Sequence, residues 1–135
     1  MANPDAERDR LNHLSNVIIG AALDVHRELG PGMLESAYKA ALASELTGRG
    51  LAVEREKSLP RIYKGRPLGR AYRVDLIVEE SVVVEVKAVQ WLAPVHGAQL
   101  LSYLKELDLR LGLLINFKVK WLRDGIARKV NRFPD

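Results

Sequence analysis

Two strand-like segments in the middle of the chain carry charges where apolar residues are expected. Tyr72-Arg73-Val74-Asp75-Leu76-Ile77-Val78 and Val82-Val83-Val84-Glu85-Val86-Lys87-Ala88-Val89 are β-branched runs separated by Glu79-Glu80-Ser81. Strand alternation puts Tyr72, Val74, Leu76 and Val78 on one face of the first run, and Arg73, Asp75 and Ile77 on the other. In the second run Val82, Val84, Val86 and Ala88 share one face, and Val83, Glu85, Lys87 and Val89 share the other. Glu85 and Lys87 then project from the same side, about 6–7 Å apart. With 79–81 as the loop, Val78 pairs with Val82 and Asp75 falls opposite Glu85, their Cβ atoms ~4.5–5.5 Å apart. Two carboxylates that close repel, and in apolar surroundings the repulsion is costly unless a cation stands between them. A divalent ion such as Mg²⁺, held by one or two carboxylates with water and a substrate phosphate completing its shell, is one answer. Lys87 bridging both acids as an ion pair is another, and a solvent-exposed face is a third. The pairing depends on register, since a one-residue slip sends the two acids to opposite faces.

Two helical segments carry further polar residues toward this pair. Over 94–107, His96, Gln99 and Tyr103 recur at i, i+3 and i+7, while Leu100, Leu104 and Leu107 face another way. Gln99 and Tyr103 could reach a phosphate or a water at the acids, or could simply edge the core. Glu35 precedes Tyr38 by one helical turn and Leu42 by two, which puts it on or beside the buried side of its helix. The helix dipole also explains an acid in a first turn.

The elements that must position these side chains follow from periodicity. Leu11, Leu14, Val17, Ile18, Ala21, Ala22, Val25 and Leu29 predict an amphipathic helix over 8–29, ended by Gly30-Pro31-Gly32. A second helix is predicted over 33–47, ending at Gly48-Arg49-Gly50. Residues 51–57 alternate like a half-exposed strand, and Tyr63-Lys64-Gly65-Arg66 reads as a hairpin turn. Leu111–Phe117 is a continuous apolar run of buried-strand length. Residues 118–132 read as a hairpin around Asp124-Gly125. The expected architecture is a single α/β domain spanning 1–135, with a mixed central sheet flanked by helices.

Composition agrees and excludes several classes. Of 135 residues, 47% are hydrophobic and 28% charged, an ordinary globular balance. The absence of cysteine removes disulfides, thiolate metal sites and a Cys nucleophile, so any metal must be held by oxygen ligands with at most some help from three histidines. No apolar run reaches the ~18–20 residues that span a bilayer, and the polar N-terminus lacks secretory character. A cytoplasmic location without membrane contact is expected. The net charge is +4, unevenly spread: residues 1–50 hold 5 basic and 7 acidic side chains, 51–90 hold 8 and 6, and 91–135 hold 8 and 4. A basic C-terminal part suits a polyanion, and equally a solvated face.

Together these residues resemble the PD-(D/E)XK nuclease superfamily, and within it the small bacterial GxxExxY proteins. The naming motif stands as Gly32-Met33-Leu34-Glu35-Ser36-Ala37-Tyr38. The metal motif stands as Asp75, nine intervening residues, then Glu85-Val86-Lys87. The helical Gln-x-x-x-Tyr element is Gln99 to Tyr103, and Gly112–Phe117 resembles the group's last core strand. The proline of the family name is replaced by Val74. The resemblance covers about 14–131 and implies a restriction-endonuclease-like core with the metal at one end of the sheet. It further implies that Asp75 and Glu85 ligate Mg²⁺ or Mn²⁺ with the Val86 carbonyl. Lys87 would position or help deprotonate an attacking water, and Glu35 would act through a metal-bound water or a second ion. Gln99 and Tyr103 would orient the phosphate or the lysine. A basic rim drawn from Arg70, Arg73, Lys118, Lys120, Arg123, Arg128 and Lys129 would hold a nucleic-acid backbone.

The implied activity is metal-dependent phosphodiester hydrolysis, with DNA as the expected substrate. A nucleic-acid-binding module without turnover, awaiting a partner subunit, is the main alternative. An interaction protein whose acids only form ion pairs is a further one. At 15.1 kDa there is little room for a separate recognition domain, which favours a homodimer or a larger complex.

Overall fold

Helix α1 (Pro4–Leu29) begins four residues before the expected start at 8, because Asn3 accepts a hydrogen bond from the Asp5 N–H (3.0 Å) and Pro4 fits the first turn. The computed structural model describes residues 3–69 and 71–135. Helix α2 (Glu35–Gly48) starts at Glu35 rather than at 33, since Pro31-Gly32 form a turn, Met33 a bend, and Leu34 is an extended N-cap. Then follow β1 (Val53–Leu59), β2 (Ile62–Tyr63), β3 (Arg66–Pro67), β4 (Tyr72–Val78) and β5 (Val82–Lys87). Helix α3 (Pro94–Leu107), β6 (Leu111–Asn116), a 3₁₀ turn (Leu122–Gly125) and β7 (Ile126–Val130) complete the order.

The five long strands form one mixed sheet, β1-β4-β5-β6-β7, and β2-β3 is a separate two-stranded ribbon. Only β5 and β6 are parallel, joined by the α3 crossover. Helices α1 and α2 cover one face through Leu11, Ile18, Tyr38, Leu42 and Leu46, packed on Leu76, Val78, Val84 and Val86. Helix α3 covers the other through Leu100, Tyr103 and Leu104, packed on Val74, Ile77, Val83 and Leu114. The continuous apolar run of β6 is thereby explained, since all six of its residues are buried.

Two expectations from periodicity are corrected. Strict alternation in β4 fails: Leu76 and Val78 face α1 and α2, but Val74 joins the α3 side with Ile77. The alternation breaks at Asp75. The expected 118–132 hairpin is a single strand, β7, which pairs antiparallel with β6. Residues 118–121 leave the sheet because Asn116 Oδ1 captures the Lys118 N–H (3.2 Å) and the buried Leu122 anchors a 3₁₀ turn. That turn passes tightly against the end of β6. A Cβ on Gly125 would stand 2.3 Å from the Asn116 carbonyl oxygen. Gly125→Ala should therefore cost ~1–3 kcal/mol of stability, seen as a lower urea midpoint. An unchanged midpoint would show that the turn shifts freely.

Tyr38 explains why the approach to α2 holds its shape. Its ring stacks on Phe117 with centroids 4.6 Å apart and planes 7° from parallel. Its hydroxyl donates to the Gly30 carbonyl and accepts from the Met33 N–H. The final residue of the Gly32–Tyr38 motif is thus a fully buried brace.

Candidate active site

Asp75 lies where the sheet opens on both sides. The β4–β5 ladder runs Val78↔Val82, Ile77↔Val83 and Leu76↔Val84, the expected register, and ends there. The β1–β4 ladder skips the level of Asp75, where Glu56 of β1 takes a left-handed φ of 54°. Such backbone costs on the order of 1–3 kcal/mol for a residue other than glycine and gathers at functional sites. Side chains replace the missing ladder. The Asp75 N–H donates to Glu85 Oε2 (2.9 Å), and the Val86 N–H donates to Asp75 Oδ2 (2.8 Å). Asp75 and Glu85 are therefore adjacent, as the register argument requires, and both are buried, at 8% and 3% exposure.

Their proximity has a clear electrostatic cost. Burial raises the Glu85 pKa first, and the charge and side-chain hydrogen bond of Asp75 raise it further, to about 9. The Asp75 N–H and the nearby Lys87 charge pull it the other way. Lys87 is half-buried at the end of β5, its backbone carbonyl accepting from the Phe117 N–H (2.9 Å). The strand ends at Lys87 rather than at Val89 because Asn116 draws the following chain aside. Its side chain accepts from the Val89 N–H (3.0 Å) and donates to the Val89 carbonyl (2.8 Å).

Lys39 of α2 stands at the candidate site, where motif reading did not place it. Its ammonium pairs with Asp75 Oδ1 at 3.2 Å and with Glu56 at 3.5 Å. Burial alone would lower the Lys39 pKa, but Asp75, then Glu56 and Glu35, outweigh it and raise the value. A signal was available: Lys39 follows Glu35 by four residues, so the two share one helical face.

Glu35 is half-buried at the start of α2, and it lines a cleft of about 260 Å³ with Met33, Ala88 and Lys118. Among the described residues, no three His, Asp or Glu side chains stand close enough together to hold a metal ion. Glu35 is thus beside the acidic pair rather than part of a three-carboxylate cluster. On the α3 side, Tyr103 is buried and its hydroxyl pKa rises to about 12, first through burial and then through Glu85, Asp75 and Tyr72. A side-chain hydrogen bond with Gln99 works against that rise. His96 leaves the stripe, because its Nδ1 accepts from the Ala93 N–H (3.0 Å) at the start of α3.

The expected basic rim is dispersed. Lys118 lies by the Glu35 cleft and Arg73 is exposed on β4. Lys120 is exposed and stands over the Trp121 ring at 5.4 Å. Arg128, on the far edge strand, donates to Asn12 of α1 (2.8 Å) and stacks over Phe133 at 4.8 Å. Arg123 lines a separate cleft with Leu23 and Trp121, and Lys129 lies against Gly97. Arg70 is outside the described residues.

A family model described as the PD-(D/E)XK nuclease superfamily matches residues 12–129. The chain belongs to that superfamily. No curated protein and no solved structure matches it. The five-stranded mixed sheet flanked by helices agrees with the restriction-endonuclease-like core of PD-(D/E)XK proteins. Membership implies a nuclease, and such nucleases generally use divalent metal ions, typically Mg²⁺. The donor set fits a hard ion: two adjacent buried carboxylates, oxygen donors only, with the Glu85 pKa raised by burial and by Asp75. No described helix is long and apolar enough to cross a membrane.

Proposed function

We propose that this PD-(D/E)XK chain is a Mg²⁺- or Mn²⁺-dependent deoxyribonuclease of the GxxExxY type. The observation that carries the reading is the break at Asp75, where side chains replace the ladder and leave two buried acids side by side. Asp75 and Glu85, with the Val86 carbonyl, would hold the ion. When bound, the ion supplies polarisation of the phosphoryl oxygen and a lowered pKa for water.

The chain's own groups have separable tasks. Lys87, beside Glu85, places a cation where negative charge builds on the phosphate and is the group to position the attacking water. Tyr103 stays protonated at neutral pH, with its hydroxyl pKa near 12, so it can donate a hydrogen bond to a phosphate oxygen. Gln99 orients that hydroxyl. Glu35 and Lys118, in the cleft on the α2 side, would steer water and a flanking phosphate. Arg73 and Lys120 extend the contact to the backbone, whereas Arg128 is held by Asn12 and Phe133. Two copies of the chain, or a larger complex, would widen the surface that meets the substrate.

Lys39 favours a second reading. It already brings a cation to Asp75, which suits a nucleic-acid-binding module that stays charge-balanced without turnover. Incubation with plasmid, linear and single-stranded DNA, and with RNA, separates the two. Cleavage of DNA in Mg²⁺ or Mn²⁺, blocked by EDTA, is expected. Binding without cleavage under every metal condition would overturn the nuclease and leave the module.

A further inference from the structure

We propose that the β2–β3 ribbon and Tyr72 form a clamp for single-stranded nucleic acid, leading the strand to the Asp75–Glu85 pair. The class of ligand rests on the nuclease reading above, but the clamp stands on different residues. Residues 61–73 (RIYKGRPLGRAYR) carry five basic side chains and no acidic one. Two tyrosines, Tyr63 and Tyr72, stand exposed among these charges.

The ribbon is closed by backbone pairing, yet Ile62, Tyr63 and Leu68 belong to neither core. Lys64 and Gly65 hold φ of 49° and 78°, the two positive values of a tight hairpin turn. Ile62 pairs with Pro67 and Tyr63 with Arg66, and the Leu68 N–H donates to the Arg61 carbonyl at 2.8 Å. Ile62, Tyr63 and Leu68 are nevertheless 53%, 59% and 54% exposed. Folding does not account for apolar side chains held out in this way. A two-stranded ribbon standing alone is marginal in water, so a surface that adds contacts to it would also stabilise it.

Its root adjoins the candidate site. The Arg61 guanidinium lies over the Tyr72 ring at 5.5 Å, and Tyr72 meets Tyr103 with centroids 6.0 Å apart. Tyr72 is 43% exposed, and with Gln99 and Tyr103 it lines a cleft of about 430 Å³. A path therefore runs from the ribbon across Tyr72 to the residues beside Glu85. Lys64 stands over the Tyr63 ring at 5.4 Å as Arg61 stands over Tyr72. Cations interleaved with exposed aromatic rings are the chemistry that binds unpaired bases: the cations take phosphates and the rings stack bases. In a duplex the base faces are hidden. An acidic protein or an anionic membrane would use the charges but leave Tyr63 and Tyr72 without a planar partner.

The test is fluorescence anisotropy of the full chain with a labelled 20-nucleotide oligo-dT and a 20-base-pair duplex, in EDTA. The single strand should bind more tightly. Lys64→Glu combined with Arg66→Glu should weaken it about tenfold or more and flatten the salt dependence by roughly 1.4, from ~0.7 per lost phosphate contact. Tyr72→Ala should weaken the single strand about tenfold, and Tyr72→Phe should restore it, because the phenyl ring still stacks. Thermal melts of each variant show that the loss is not unfolding. Unaltered binding by the folded double variant would overturn the clamp. So would tighter duplex binding, or equal effects of Tyr72→Ala on both DNAs. Vesicles of anionic lipid binding as tightly as oligo-dT would overturn it as well. Clamp binding in EDTA followed by no cleavage once Mg²⁺ or Mn²⁺ is added would instead count against the nuclease alone.

Discussion

Lys87→Ala is expected to lower DNA cleavage about a thousandfold while leaving the fold and DNA affinity close to those of the parent. The magnitude is that of losing a positioned acid–base or electrostatic group at a phosphoryl centre, ~10²–10⁴ in rate. Stability should change little, because Lys87 joins β5 to β6 through its backbone, paired with Asn116, and its side chain is only half-buried. Measuring kcat and KM separately tests the role. A fall in kcat alone supports a group acting on the reacting phosphate. A rise in KM with kcat intact would make Lys87 a binding residue only. Equal cleavage by variant and parent would sink the assignment of the site and point to a contaminating nuclease.

Magnesium should stabilise the EDTA-treated protein strongly at pH 9 and hardly at all at pH 6. The folded-state pKa of Glu85 is pushed up to about 9 from an ordinary 4.5, by burial first and then by Asp75. Stability contributed by protonated Glu85 is fully present below the unfolded value and is lost as pH rises through about 9. The metal-free protein should therefore weaken across that window. An ion that binds the ionised pair must displace the proton, so its apparent affinity should climb about tenfold per pH unit below 9. At a concentration ~100 times its Kd at pH 9, Mg²⁺ should add ~2.7 kcal/mol, or about 10 °C in melting temperature for a chain of this size. Differential scanning fluorimetry at the two pH values reads the difference directly. Glu85→Gln should abolish both the metal-induced shift and its pH dependence. An equal shift at pH 6 and pH 9, or one that persists in Glu85→Gln, would show that the ion binds elsewhere.

Much of this site is legible in the amino-acid order. The β4–β5 register follows from a three-residue loop between two β-branched runs, and it correctly sets Asp75 beside Glu85. The helix over 94–107 follows from its leucine spacing and the proline at its start. What periodicity does not foresee is the break at Asp75. Alternation assumes a regular pleat, and the left-handed Glu56 on the neighbouring strand interrupts it, turning Val74 to the α3 side. Lys39 escapes notice for a related reason. A lysine on a helix reads as a solvated charge until the fold places it 3.2 Å from a buried carboxylate.

The basic residues divide along the same line. Their number and their concentration after residue 50 are properties of composition, and composition points toward a polyanion. Their grouping is not. Arg128 and Lys118 are ten residues apart in the chain, but one is held at the far edge of the sheet by Asn12 and the other opens onto the Glu35 cleft. The chain alone specifies the three helices and the strands up to β6, the family motif and the pair of acids on adjacent strands, because these depend on local period and short-range register. Tertiary structure decides which charges share a low-dielectric pocket, which are spent on caps and braces, and which stand free at its mouth. Those outcomes depend on distances between elements far apart in sequence, and a few ångströms there separate an ion pair from a solvated surface charge.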